Sequence, residues 1–273
     1  MKPYAAAPFG DGMVLQRNVP LQIWGYADPD AEVTVCIQGI EEKIQADPDG
    51  RWECTLPALH TSVEEKLVIR TDGGVCEYRD VMVGEVWLAG GQSNMEFYMR
   101  YDADYDSFLR LCEDPLFRFY DVTKVSEPEQ LEMRDYSLFS YWRKSTPDDL
   151  QYFSAAAYYF GASLREHLQV PVGIICCSWG GTRACFWMSR ETVEKCGKVW
   201  LEDYEEGLKN IPDMEAARKA YYADPNLDCS HPFDRPFDKL LYGFSLEEFQ
   251  PGEMTEDNTA SFVIGPWHEW RPC

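Results

Sequence analysis

The pattern that most constrains the fold of this chain is a long helical segment followed directly by an apolar strand that ends in glycines. Apolar side chains recur at helical spacing over 154–169, which predicts an amphipathic helix with Ser154 as its N-cap. The apolar run Val172–Ser178 follows and ends at Trp179-Gly180-Gly181. This order of elements is typical of α/β folds with a parallel sheet, in which binding sites collect at the carboxyl ends of the strands.

The rest of the chain predicts two domains. Two further apolar runs, Val83–Ala89 and Leu116–Val122, predict buried strands of the same parallel sheet. Upstream, short alternating strands are separated by turns rich in Asp, Pro and Gly, which is typical of a small antiparallel sandwich. We therefore predict a β-sandwich-like domain over 1–82 and an α/β domain over 83–273.

Composition excludes several classes of function. With Lys+Arg 25 against Asp+Glu 47, the net charge is −22, which argues against nucleic acid and anionic membrane surfaces as partners. No apolar run approaches the roughly 20 residues of a membrane span, and the first residues lack the apolar core of a secretory signal. The 10 cysteines do not form paired zinc-type clusters, so we expect mainly reduced thiols and a cytoplasmic protein.

Two glycine-rich strand ends are candidates for chemistry. Gly90-Gly91 precedes Gln92-Ser93, and a serine at the tight exit of a buried strand exposes its hydroxyl at the rim of the sheet. An ordinary helix-capping serine fits the same pattern. At the second end, Gly180 and Gly181 leave backbone N–H groups free to face an anion, although a plain turn has the same composition.

These segments resemble one family. The block Val83–Glu96 is similar to the nucleophile block of the sialate O-acetylesterases, a branch of the SGNH-type carbohydrate esterases. Ser178–Thr182 resembles the second block of that family. Gly12–Arg17 and Asp49–Trp52 are similar to the small β domain that precedes the hydrolase in these proteins.

The resemblance implies hydrolysis of O-acetyl esters on sugars through an acetyl-enzyme. Ser93 would be the nucleophile, and an O-acetylated sugar or glycan would be the partner. The amide of Ser93 and one from Gly180 or Gly181 would form the oxyanion hole. The resemblance implies neither a metal nor another cofactor.

The resemblance is incomplete downstream of Thr182. The family's third block and its late Asp-x-x-His-Pro block, which supplies the base, are not found at their usual places. We therefore expect a chain truncated at its C-terminus and impaired in activity. Asp228 and His231 stand in the literal Asp-x-x-His-Pro form, within a loop-rich segment, and are the alternative base.

Two other functions fit the same residues. A non-catalytic module could bind a glycan through exposed aromatic rings. An esterase of the same chemistry could instead act on acetylated xylan.

Overall fold

The computed structural model describes residues 1–109, 112–122, 140–180, 184–198, 201–202 and 216. The chain divides into two compact units, Met1–Val122 with Phe139–Gly180, and Thr123–Leu138 with Gly181–Cys273. The described strands all lie in the first unit: β1 (Tyr4–Ala5), β2 (Val14–Gln16), β3 (Leu21–Tyr26), β4 (Glu32–Ile37), β5 (Ile40–Gln45), β6 (Arg51–Leu56), β7 (Ser62–Thr71), β8 (Gly74–Gly91), β9 (Asp114–Asp121), β10 (Trp142–Ser145) and β11 (Val172–Ser178).

The described helices are short apart from one. In the first unit they are α1 (Ser93–Glu96), α2 (Tyr105–Phe108), α3 (Pro147–Leu150) and α4 (Ala155–Leu168), with a 3₁₀ turn at Met99–Tyr101. The second unit contains a 3₁₀ turn at Ala184–Trp187 and α5 (Arg190–Cys196). From the sequence we also predict a charged helical segment from Val193 to about Ala223, and it lies mostly outside the described residues.

Two sheets form the first unit. A three-stranded antiparallel sheet has the order β1-β3-β6, and an eight-stranded mixed sheet has the order β10-β9-β11-β8-β7-β4-β5, with β2 paired to β8. β9, β11 and the last seven residues of β8 pair in parallel, and β2 pairs in parallel with the preceding residues of β8. The chain is thus of mixed α/β class, as predicted.

The antiparallel strands bury alternate side chains. In β4 the buried residues are Val33, Val35 and Ile37, and in β6 every second residue is buried. Both sets join a single hydrophobic core, so the two sheets pack through side chains of period two.

The parallel part is built around β11, which has the predicted bounds. Six of its seven residues are buried, because β8 and β9 flank its edges and α4 covers one face. Ser154 caps α4 by accepting a hydrogen bond from the amide of Ala157 at 3.1 Å, which confirms the predicted cap. A Cβ on Gly161 would lie 2.4 Å from the Phe117 ring, so this glycine permits the close approach of α4 to β9.

The expectation of a fully buried strand over Val83–Ala89 is wrong in its second half. Val83 is buried, whereas 46% of Trp87 and 69% of Leu88 are exposed. Among the described strands, this half of β8 pairs only with β11, so its other edge has no strand partner within the described residues. The domain boundary at residue 82 stays a prediction, and β8 runs through that position.

Seven cysteines of the described part form no disulfide, as predicted for most cysteines of the chain. Burial raises the pKa of Cys54 to about 11, which is the behaviour of an unreactive core thiol.

No helix in the described ranges combines the length and the apolar composition that a membrane crossing takes.

A buried arginine joins the antiparallel and parallel parts of the large sheet. The side chain of Arg118 in β9 is only 3% exposed, and its two terminal nitrogens donate to Asp80 at 3.0 and 3.1 Å. Lys144 lies 3.2 Å from the same carboxylate. The hydrogen bonds from Arg118 lower the pKa of Asp80 below its ordinary value.

This arrangement predicts a pH-dependent loss of stability. Because the folded pKa of Asp80 is depressed, its contribution is present above pH 4 and is lost as the pH falls through the folded pKa. We expect Asp80→Asn to lower the free energy of unfolding by about 1–2 kcal/mol at pH 6, since the carboxylate is partly exposed and screened. The difference from the unmodified chain should shrink at pH 3.

Urea unfolding at the two pH values measures this difference. Glu64→Gln is the control, because Glu64 is exposed and forms no ion pair within the described ranges. A deficit in Asp80→Asn that is as large at pH 3 as at pH 6 would mean that the carboxylate charge is not what stabilises the pair.

Candidate active site

Ser93 lies where β8 turns abruptly into α1. Gly91 ends the strand with φ +148°, a conformation that side chains other than glycine rarely adopt. The carbonyl of Gln92 then accepts hydrogen bonds from the amides of Met95 and Glu96, both at 2.9 Å, and closes a single helical turn. Ser93 is the first residue of this turn and is exposed, and its hydroxyl has no hydrogen-bond partner among the described residues.

The second predicted strand end lies beside Ser93. The parallel register pairs Ser178 with Gly91, and the amide of Trp179 donates to the carbonyl of Gly91 at 3.0 Å. The next residue is Gly180, where a Cβ would lie 3.6 Å from the Cα and 3.7 Å from the Cβ of Ser93. Two sites that are far apart in sequence are therefore adjacent, because neighbouring parallel strands end at the same edge of the sheet.

A carboxylate that sequence reasoning missed also occupies this edge. The amide of Gly180 donates a short hydrogen bond to Glu96 Oε2, three residues after Ser93 on the same helical turn. The contact demonstrates that the Gly180 amide faces a negative oxygen next to Ser93. It also means that an oxyanion can use this amide only after the Glu96 carboxylate moves aside. The sequence signal available was the i, i+3 spacing of Ser93 and Glu96 in the nucleophile block.

A third strand end contributes charge to the same region. Burial raises the pKa of the Tyr98 phenol, and the nearby carboxylates of Glu96 and Asp121 raise it further. Asp121 is the last residue of β9. The ends of β8, β9 and β11 therefore all lie at this edge of the sheet. The Tyr98 phenol is consequently neutral over the whole physiological range.

The described residues do not bring a histidine to Ser93. The backbone of His60 is hydrogen-bonded to the side chain of Gln38, and the His167 ring lies 2.8 Å from the carbonyl of Ser163. Gly181, Asp228 and His231 lie outside the described residues. Within the described ranges, no group of three or more His, Cys, Asp or Glu residues could hold a metal ion.

Comparison with known proteins identifies the relatives of the chain. No family model matches it. The sialate O-acetylesterase of Mus musculus is 30% identical over 222 residues, which is 74% of this chain and 40% of the mouse protein. The human sialate O-acetylesterase is 30% identical over 212 residues, again 40% of its length.

A solved structure is also similar to this chain. A carbohydrate acetylesterase from Xanthomonas citri aligns with a TM-score of 0.63 and 34% identity over 70% of this chain and 43% of that protein. The chain thus spans about two fifths of the length of these relatives. By its similarity to them over about seven tenths of its own residues, the chain belongs to the sialate O-acetylesterase family.

Proposed function

We propose that the protein hydrolyses O-acetyl esters of carbohydrates with Ser93 as the nucleophile. The observation that carries the proposal is the exposed Ser93 after the end of β8, adjacent to Gly180 after the end of β11. The names of the relatives, sialate O-acetylesterase and carbohydrate acetylesterase, supply the class of ester.

The reaction follows from what these groups can do. Ser93 Oγ attacks the acetyl carbonyl, and its proton passes to a general base. The bond between the carbonyl carbon and the sugar oxygen then breaks, and that oxygen takes the proton from the base. A water molecule attacks the acetyl-enzyme in the same way and releases acetate.

The developing oxyanion requires hydrogen-bond donors. The amide of Ser93 and an amide from Gly180 or Gly181 are our candidates. Glu96 moves away when the substrate binds, because its carboxylate otherwise holds the Gly180 amide and repels the oxyanion.

The base comes from outside the described residues. Asp228 and His231 are the candidate pair, because a histidine oriented by a carboxylate is what deprotonation of Ser93 requires. A serine that lacks such a partner is almost entirely a neutral hydroxyl at pH 7, so the chain is impaired unless this pair supplies the base.

We also propose that the fold has two parts, an amino-terminal β-sandwich-like domain and an SGNH-type hydrolase domain. The two sheets that share one core support the first part. The parallel strands β8, β9 and β11, with α4 against β11 and β9, support the second.

The substrate test compares two acetylated sugars. Acetate release is measured from O-acetylated sialic acid and from acetylated xylan, each with and without imidazole as an external base. We expect faster release from the acetylated sialic acid, given the names of the relatives. Faster release from xylan would favour the acetylxylan esterase. Glycan binding with no acetate release from either sugar, even with imidazole, would favour the non-catalytic module.

A further inference from the structure

Two exposed aromatic rings, those of Phe97 and Tyr101, follow α1 in the chain. Phe97 follows α1 directly and is four residues after Ser93. The Phe97 side chain is 45% exposed, and Tyr101 is 59% exposed. Their ring centroids are 6.1 Å apart, with 54° between the ring planes. We call these two side chains the aromatic platform.

The backbone of the platform is held rigidly. The carbonyl of Phe97 accepts a hydrogen bond from the amide of Ala155 at 2.8 Å. The amide of Met99 donates to the carbonyl of Phe153, also at 2.8 Å. Because these partners belong to the start of α4 and the segment before it, the platform keeps its position relative to the sheet edge.

A cation orders the outer ring of the platform. The Arg100 guanidinium lies 4.8 Å from the centroid of Tyr101 and donates to the Tyr101 hydroxyl at 2.7 Å. It lies equally close, 4.8 Å, to the ring of Tyr152. Within the described part of the chain Arg100 forms no ion pair, although acidic residues outnumber basic ones 47 to 25. Its contacts with tyrosine rings therefore fix it beside Tyr101.

Exposed, preorganised aromatic rings are suited to one kind of ligand. The C–H face of a pyranose ring packs on an aromatic ring and removes apolar area from water, while its hydroxyls stay solvated. Rings that are already fixed lose little conformational entropy on binding. We propose that the aromatic platform stacks against the sugar ring of the acetylated substrate while Ser93 attacks the acetyl group. This inference rests on the proposed function and adds the residues that recognise the sugar.

The binding test uses the full chain and free sugars. Affinities for N-acetylneuraminic acid and methyl β-xyloside are measured by titration NMR for the unmodified protein, Phe97→Ala and Tyr101→Ala. We expect each variant to bind at least one sugar about five- to tenfold more weakly. Phe160→Ala is the matched control, because Phe160 is 44% exposed and its ring contacts Trp87 on β8 instead. We expect no change in that variant.

A kinetic measurement distinguishes sugar binding by the aromatic platform from the chemical step at Ser93. Phe97→Leu keeps an apolar side chain but removes the ring, and we expect it to raise KM for the acetylated sugar by a larger factor than KM for ethyl acetate, which has no ring. Equal sugar affinity in Phe97→Ala, Tyr101→Ala and the unmodified chain would contradict the proposal that the aromatic platform binds the sugar. The same loss of affinity in Phe160→Ala would also contradict that proposal. Unchanged acetate release by Ser93→Ala together with weaker sugar binding by Phe97→Ala would support sugar binding by the aromatic platform. The same result would exclude Ser93 as the nucleophile.

Discussion

Replacing Ser93 with alanine is expected to lower the rate of acetate release by at least about 10³-fold. In the proposed mechanism the variant loses the oxygen that forms the acetyl-enzyme. The fold should be unaffected, because Ser93 is exposed and its hydroxyl has no hydrogen bond within the described ranges. Initial rates on an acetylated sugar, with and without imidazole, give the comparison.

The control for this prediction is Ser163→Ala. Ser163 is also exposed but lies on α4, and its hydroxyl takes part in no described hydrogen bond. We expect that variant to keep the full rate. If His231 is the base, His231→Ala should lose a similar factor to Ser93→Ala, and added imidazole should restore part of it only while Ser93 is present. Undiminished acetate release by Ser93→Ala would exclude Ser93 as the nucleophile.

Gly84→Ala is expected to destabilise the first unit by about 3 kcal/mol. A Cβ at Gly84 would lie 2.0 Å from the carbonyl oxygen of Pro171, which is backbone and cannot swing away. The same carbonyl accepts a hydrogen bond from the amide of Glu85 at 2.9 Å, so the clash displaces the start of the β8–β11 pairing. Because Ser93 and Gly180 are brought together by that register, activity should fall as well.

Gly90→Ala, in the same strand, is the matched control. A Cβ at Gly90 would meet only the carbonyl of Cys177, at an ordinary 3.7 Å, and we expect a change within about 0.5 kcal/mol. Urea unfolding of both variants measures the difference. Equal stability of Gly84→Ala and the unmodified chain would mean that β8 and β11 are not as close at Gly84 as described.

The sequence predicted the elements that carry strong apolar signals. The run Val172–Ser178 is continuous and ends in glycines, and the observed strand has the same bounds. The helix was predicted to within one residue at each end, because Ser154 caps it and its apolar stripe is regular. Leu88 was expected to be buried, but its exposure depends on which strands lie beside β8, and that is not a property of the local sequence.

Two strand segments and one site residue were not predicted, because their sequence patterns are weak. Strand β5 has the sequence Ile-Glu-Glu-Lys-Ile-Gln and buries none of its residues, so it lacks the apolar alternation of a core strand. The first part of β8 follows Gly73-Gly74 and is rich in charge, which resembles a turn more than a strand. At the site, Ser93 and Gly180 were predicted from strand ends, whereas the role of Glu96 depends on a hydrogen bond to a residue 84 positions away.

The most direct test of Ser93 is to trap the acetyl-enzyme. The whole chain is incubated with a sugar ester that carries an isotopically labelled acetyl group, quenched in acid within the first turnovers and digested for peptide mass spectrometry. We expect the labelled acetyl group on Ser93 in the unmodified chain and no labelled acetyl group in Ser93→Ala. Acetate release without label on Ser93, or label on another residue that persists in Ser93→Ala, would contradict the proposed mechanism.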